Sequence, residues 1–151
     1  NPAWAFAIAR RESSFMVDAN STAGARGLMQ LLPGTARYLA KKKIKSSSLY
    51  QPDENAKYGT QYLRYLMDKM DNNPVLVTAS YNAGWRRVKN WLPDQGTQPM
   101  DIWVETIPFK ETRNYVKAVL AYKQIYANQL GQQNDLFLQL ANMQLGPLPA
   151  P

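Results

Sequence analysis

Residues 109–131 place the strongest constraint on the fold. Tyr115, Val119, Tyr122 and Tyr126 recur at alternating offsets of four and three, and Val116, Leu120 and Ile125 widen the stripe. That spacing puts the apolar residues on one face of a helix and nowhere else, and Gly131 ends it. The rest of the chain is punctuated the same way. Pro2 opens a helix over 2–14, with Trp4, Ile8 and Arg11 on one face and Phe6, Ala9 and Ser13 on another. Residues 28–32 are expected as a short apolar helix, and Pro33 as the start of the next, to about Lys43. Residues 46–52 form a connector, after which Asp53 is expected to cap a long helix to about Asp71 with the stripe Tyr58, Tyr62, Tyr65, Leu66 and Met70. The run 75–83 has the β-propensity of a strand, but Pro74 before it and Gly84 after it favour a buried helix. A short helix follows over Arg86 to Leu92, and 93–108 is expected to be irregular. Beyond Gly131 the pattern predicts at most one short helix, Asp135 to Met143, and a Pro-rich end that forms no core. The expectation is an all-α domain of roughly six to eight helices over 1–131, with 132–151 as a C-terminal tail.

Composition then limits the chemistry. The chain has 151 residues, with no His and no Cys. Imidazole zinc sites, Ser-His-Asp triads, thiol nucleophiles, disulfides and iron–sulfur clusters are therefore excluded. Proton transfer must come from carboxylates, Lys, Tyr or water. The loop 16–27 places Asp18 and Asn20 like the start of a calcium loop, but Ala23 stands where the turn glycine belongs and Met29 where the bidentate Glu belongs. No metal and no cofactor is expected. The net charge of +7 suits a polyanionic partner or simple solubility. The cations are scattered over different elements, so no helix carries the basic face that tracks a nucleic-acid backbone, and nucleic acid is not an expected partner. The run Lys41-Lys42-Lys43-Ile44-Lys45 suits a helix C-terminus. No apolar run approaches the roughly 20 residues that a transmembrane helix needs. The chain begins inside a helical pattern, which points to a domain cut from a longer one and makes the missing leader uninformative.

Glu12 stands out against this background. It sits in the last turn of the first helix, where partial negative charge disfavours a carboxylate. One account is a surface pair with Arg10 or Arg11. The other is a carboxyl group held protonated near neutrality, which is what delivery of a proton to a glycosidic oxygen requires. The Gly/Ser loop after it would then form a cleft wall, and exposed rings would offer faces to sugars.

The segment 7–35, AIARRESSFMVDANSTAGARGLMQLLPGT, resembles the catalytic segment of the lytic transglycosylases. In order after it, Ala79-Ser80-Tyr81-Asn82-Ala83-Gly84 is similar to the family's AYNAG segment. Residues 105–116, ETIPFKETRNYV, are similar to its ETIPF-ETRNYV segment. The likeness covers roughly residues 3–130 and points to the soluble-type family 1 enzymes, whose catalytic domain is lysozyme-like, of the goose type. It implies cleavage of the β-1,4 bond between N-acetylmuramic acid and N-acetylglucosamine in peptidoglycan, with a 1,6-anhydromuramyl product and a single Glu as acid and then base. The alternatives are a muramidase that hydrolyses the same bond and a non-catalytic peptidoglycan-binding module. Carried over by motif, Glu12 is the acid/base, and Ser13, Ser21, Met29, Gln30, Tyr81, Asn82, Glu111 and Tyr115 are substrate-binding candidates. Several have a plainer role available: local hydrogen bonding for Ser13, core packing for Met29 and Tyr115, turn stabilisation for Asn82, and pairing with Arg113 or Lys117 for Glu111. Glu105 and Asp101 are weaker candidates. The resemblance further implies a periplasmic location, peptidoglycan glycan strands and other wall enzymes as candidate partners, and a longer chain with an N-terminal helical region.

Overall fold

A computed structural model describes residues 1–132 and 136–150. Among these residues eight α-helices run in the order α1 (Pro2–Ser13), α2 (Pro33–Ala40), α3 (Pro52–Lys69), α4 (Pro74–Ala83), α5 (Trp85–Asn90), α6 (Met100–Thr106), α7 (Lys110–Gln129) and α8 (Leu136–Asn142), with a 3-10 helix at Ser46–Tyr50 before α3. A two-stranded antiparallel ribbon joins β1 (Gln98–Pro99) to β2 (Gln144–Leu145). Proline opens α1, α2, α3 and α4, where its missing N–H costs nothing. Asn1 and Asn73 cap α1 and α4, the second accepting from the backbone N–H groups of Val75 and Leu76.

The long stripe on α7 meets α1, the most extensive helix pair in the fold, and α4 packs against α7 from the other side. Trp4, Ala7, Ile8 and Ala9 of α1 are buried with Tyr115, Val116, Val119 and Leu120 of α7 and Val75 to Ala79 of α4. Phe6 stays exposed, and so does Ile125 on the outer side of the α7 stripe. Fully buried Trp103, Met100 and Ile107 close the bottom of the core, and a smaller cluster of Leu31, Ala36, Leu49 and Tyr58 holds the first long loop.

Six expectations need correction. Residues 28–30 are turns rather than a helix: Gln30 lies at φ 51 and the backbones of Arg26 and Leu31 bond to each other in both directions. The helix after Pro33 stops at Ala40, because Lys41 adopts a left-handed cap that turns the chain, so the lysine run follows the helix instead of closing it. Residues 46–50 of the connector form the 3-10 turn. Asp53 lies inside the first turn of α3, where it still favours the dipole, and the capping position belongs to Gln51 without a side-chain bond. The stretch 93–108 contains α6, whose Met100, Trp103 and Val104 are driven into the core despite the flanking prolines. The end of the chain also contributes to the core: Leu145 is buried, Leu148 packs against the same cluster, and β2 pairs with β1. The short helix after Gly131 is present as α8; its expected start at Asp135 lies outside the described residues.

Candidate active site

Glu12 occupies the last turn of α1, partly buried, where α1 crosses α7. Its Oε1 accepts a hydrogen bond from the hydroxyl of Tyr115, one turn into α7, at 2.9 Å. No ion pair to Arg10 or Arg11 forms among the described residues. Arg10 instead lies over the ring of Tyr122. Burial is the main cause that lifts the Glu12 carboxyl from its ordinary 4.5 to about 7. The Tyr115 hydroxyl and the charge of Arg11 pull the other way, and the charge of Glu111 adds a smaller push upward. Desolvation therefore exceeds the stabilising hydrogen bond, and the group is poised to hold or release a proton near neutrality. Tyr115 is buried, and its own acidity is pushed well away from neutral pH by desolvation first and by Glu12 second, so it remains a neutral donor.

The loop 19–31 follows Glu12 in the chain and is held from α3 and α4. Asn55, fully buried in α3, pins it twice and ties it to the 3-10 helix: Oδ1 accepts from the Met29 N–H at 2.8 Å, while Nδ2 donates to the carbonyls of Arg26 at 2.9 Å and Leu49 at 2.8 Å. Gly27 lies at φ +77, and a Cβ there would collide with the Leu49 carbonyl and the Asn55 amide. The Met29 side chain is buried against Gly59 so closely that a Cβ on Gly59 would overlap its sulfur. Tyr81, from α4, donates its hydroxyl to the Met29 carbonyl at 2.6 Å. Gln30 satisfies its amide inside the loop, donating to the carbonyls of Ala19 at 3.0 Å and Gly27 at 2.9 Å.

On the other side Asn82 lies in the last turn of α4, beside the first turn of α7. Its Oδ1 accepts from the buried Thr112 hydroxyl at 2.7 Å, which turns Nδ2 toward Glu111 Oε1 at 3.4 Å. Glu111 pairs with neither Arg113 nor Lys117. Arg113 donates to the Ile107 carbonyl, and Lys117 joins Glu105 in an exposed ion pair at 2.6 Å. Thus Glu12, Tyr81, Asn82, Glu111 and Tyr115 converge from α1, α4 and α7. Ser13 faces inward and bonds back to the Ala9 carbonyl at 3.1 Å. Ser21 is exposed in the loop and accepts from the Ala25 N–H at 3.0 Å. Asn55 and Thr112 were not among the sequence candidates. The only local hint of Asn55 is an amide one turn before Gly59 on the buried stripe of α3.

A chain of ring contacts runs outward from Tyr81. Tyr81 lies against Tyr62, ring centres 5.3 Å apart, and Tyr62 stacks on Tyr65 at 6.1 Å. Tyr62 and Tyr65 with Tyr38 and Trp85 line a cavity of about 270 Å³. Among the described residues no three His, Cys, Asp or Glu side chains gather to hold a metal ion, and no helix is long and apolar enough to cross a membrane.

Residues 1–104 match the family model of the Transglycosylase SLT domain, and residues 106–135 match that of the Soluble lytic transglycosylase helical domain. The chain is 42% identical over 139 residues to the soluble lytic murein transglycosylase of Salmonella typhimurium, covering 88% of this chain and 22% of that one. It is 41% identical to the Escherichia coli K12 protein of the same name, with the same coverage. It superposes on the crystal structure of an inactive Glu-to-Gln variant of lytic transglycosylase Slt from Pseudomonas aeruginosa with a TM-score of 0.86 at 42% identity, over 91% of this chain and 24% of that one. A complex of the 70-kDa soluble lytic transglycosylase with bulgecin A superposes with a TM-score of 0.81 at 37% identity, over 95% and 23%. The chain therefore spans about a fifth to a quarter of the length of these relatives. In sequence, in its all-α lysozyme-like fold and over most of its length, this chain belongs to the soluble lytic transglycosylase family.

Proposed function

We propose that the chain is a peptidoglycan lytic transglycosylase domain that works in the periplasm on glycan strands, with Glu12 as its single acid and base. The observation that carries this reading is the Glu12 carboxyl, lifted by burial to about 7 and held by the Tyr115 hydroxyl at 2.9 Å. The protonated Glu12 donates to the glycosidic oxygen as the bond from the muramyl C1 breaks. The positive charge that develops at C1 lies beside the carboxylate just formed. The muramyl 6-hydroxyl then attacks C1, and its proton goes to Glu12, which is regenerated. No water is consumed, and the product is the 1,6-anhydro sugar. An intramolecular nucleophile brings its own high effective concentration, so no protein group has to position a water. Tyr115 serves this cycle by donating to the carboxylate form without competing for the proton, since burial keeps its hydroxyl neutral. Tyr81, Asn82, Glu111, Met29 and Gln30 contribute the walls, with Asn82 Nδ2 and the Glu111 carboxylate as polar groups for the sugar substituents. Ser13 and Ser21 act on the local backbone.

Membership of the family and the relatives named as murein transglycosylases support this reading, as does the inactivity of the solved Glu-to-Gln relative. The test is incubation of wild-type and Glu12→Gln protein with purified peptidoglycan. Loss of all product release in the variant is the expected result, and full activity in Glu12→Gln overturns the assignment. Binding without any release by the wild type would point to the non-catalytic module.

A further inference from the structure

The chain leaves α1 through two residues in a conformation that their side chains disfavour. Ser14 lies at φ 51 and Phe15 at φ 64, both in the left-handed region. One left-handed residue after a helix is ordinary, above all for glycine. Two in succession without glycine are strained, and a bulky ring on the second adds to the crowding. Such a backbone persists only where contacts around it fix it. Two backbone bonds belong to this turn, Ser14 N–H to the Arg10 carbonyl at 3.1 Å and Met16 N–H to the Ser13 carbonyl at 3.0 Å. Burial in the core is not what holds Phe15, because it is 42% exposed. Its ring meets Tyr126 edge-on, centres 6.2 Å apart, and the same Tyr126 ring takes Phe6 of α1 edge-on at 6.1 Å. Tyr126 in turn packs against the main core. Glu12 is bonded to Tyr115, yet Phe15, three residues later, reaches a ring about three turns further along α7. The left-handed pair therefore folds the chain back, and Phe15 clips it beside the helix it has just left.

Helix ends open before helix centres do, and Glu12 stands in the last turn of its helix. Its carboxyl stays out of water only while that turn stays closed. We infer that Phe15 is a positioning residue for the reaction: its ring, clipped to Tyr126, holds the end of α1 closed and keeps the Glu12 carboxyl buried against Tyr115. The inference rests on the reading of Glu12 as acid and base, and it adds a residue that acts through Glu12 rather than on the substrate. The groups that act on the Glu12 charge are Tyr115 and Glu111 from α7, Tyr81 from α4 and Arg11 from its own helix. Loss of the clip leaves all four in the chain and acts on Glu12 by admitting water.

Carbon-13 NMR of protein labelled at glutamate tests this without turnover, by following the Glu12 side-chain carboxyl through a pH titration. Glu12→Gln removes its signal and so assigns it. The wild-type midpoint is expected at about 7. Phe15→Ala brings it down by about one pH unit or more, toward the ordinary 4.5, and Phe15→Tyr, which keeps a ring on Tyr126, leaves it at about 7. Tyr126→Leu removes the clip from the other side and gives the same fall, so the test does not depend on one variant folding. Thermal midpoints check the fold of each protein. At pH 7 the protonated fraction of Glu12 then drops from about one half to about one tenth, so kcat on peptidoglycan falls about fivefold with KM unchanged. A Phe15→Ala midpoint that stays at about 7, or a wild-type midpoint near 4.5, overturns the inference. So does a rise in KM with the midpoint unmoved, which makes Phe15 a substrate contact. A wild type that titrates at about 7 but releases no product removes the catalytic reading of Glu12 alone, so the two failures are told apart.

Discussion

Replacing Glu12 by Gln should make the protein more stable at high pH and leave its stability unchanged at low pH. Glu12 has its carboxyl lifted from 4.5 to about 7 by burial in the fold. Below about 4.5 the group is protonated in both the folded and unfolded chain and contributes nothing to the pH dependence. As pH rises from there, the unfolded chain ionises first, and folding is penalised until pH passes the folded value. The accumulated loss is the difference between the two values at 1.36 kcal/mol for each, about 3 kcal/mol in full by about pH 8. Gln has the shape of Glu, its amide oxygen still accepts the Tyr115 hydroxyl, and it does not titrate. The chain contains no His, so the range where imidazole changes charge is left to Glu12. Urea unfolding of both proteins at steps from about pH 4 to about pH 8 measures the difference directly, since other groups cancel between them. The gap should open from near zero to about 3 kcal/mol, with its midpoint between the two values. A gap that stays flat across the range would refute the reasoning, because Glu12 would then not be desolvated.

Tyr115→Phe removes the donor that lowers the Glu12 carboxyl, so the alkaline fall in activity should move up by about one to two pH units, read from the pH profile of kcat/KM. A shift in the acid direction would contradict that sign. Asn55→Leu strands the Met29 N–H and the carbonyls of Arg26 and Leu49, and should cost about 3 kcal/mol or more by denaturant unfolding, with activity lost even where the chain is still folded. Thr112→Val keeps the shape but leaves Asn82 Oδ1 without its donor, so the amide is no longer fixed with Nδ2 on Glu111. KM for strands should rise severalfold at little cost in thermal midpoint, and Thr112→Ser should restore it.

Local rules carried the sequence reading of α1, α3, α4 and α7, because Pro and Asn starts and long stripes act within a few residues. They failed where tertiary contacts override propensity. The apolar run 28–32 has a helix-like composition, yet Asn55 and Tyr81, distant in sequence, hold its backbone as a bridged turn. Three prolines and a glycine hid α6, whose Trp103 only shows its purpose once the core is assembled. The tail looked inert because its few apolar residues have partners only in β1 and the core. Within the site, Glu12 was visible as a carboxylate at the wrong end of a helix. Its cause was only half visible: the main force on its proton is burial under α7, which no spacing on α1 reveals. Gln30, a binding candidate by its motif, finds two partners in its own loop instead of in the cleft.

The central claim is that Glu12 directs the substrate's own hydroxyl, not water, to the anomeric carbon. Digestion of purified peptidoglycan in water enriched in oxygen-18, followed by mass analysis of the muropeptides, tests it most directly. The account predicts 1,6-anhydro products, each lighter by one water than the reducing sugar and carrying no label. Reducing ends that carry one labelled oxygen would contradict it and make the enzyme a hydrolase.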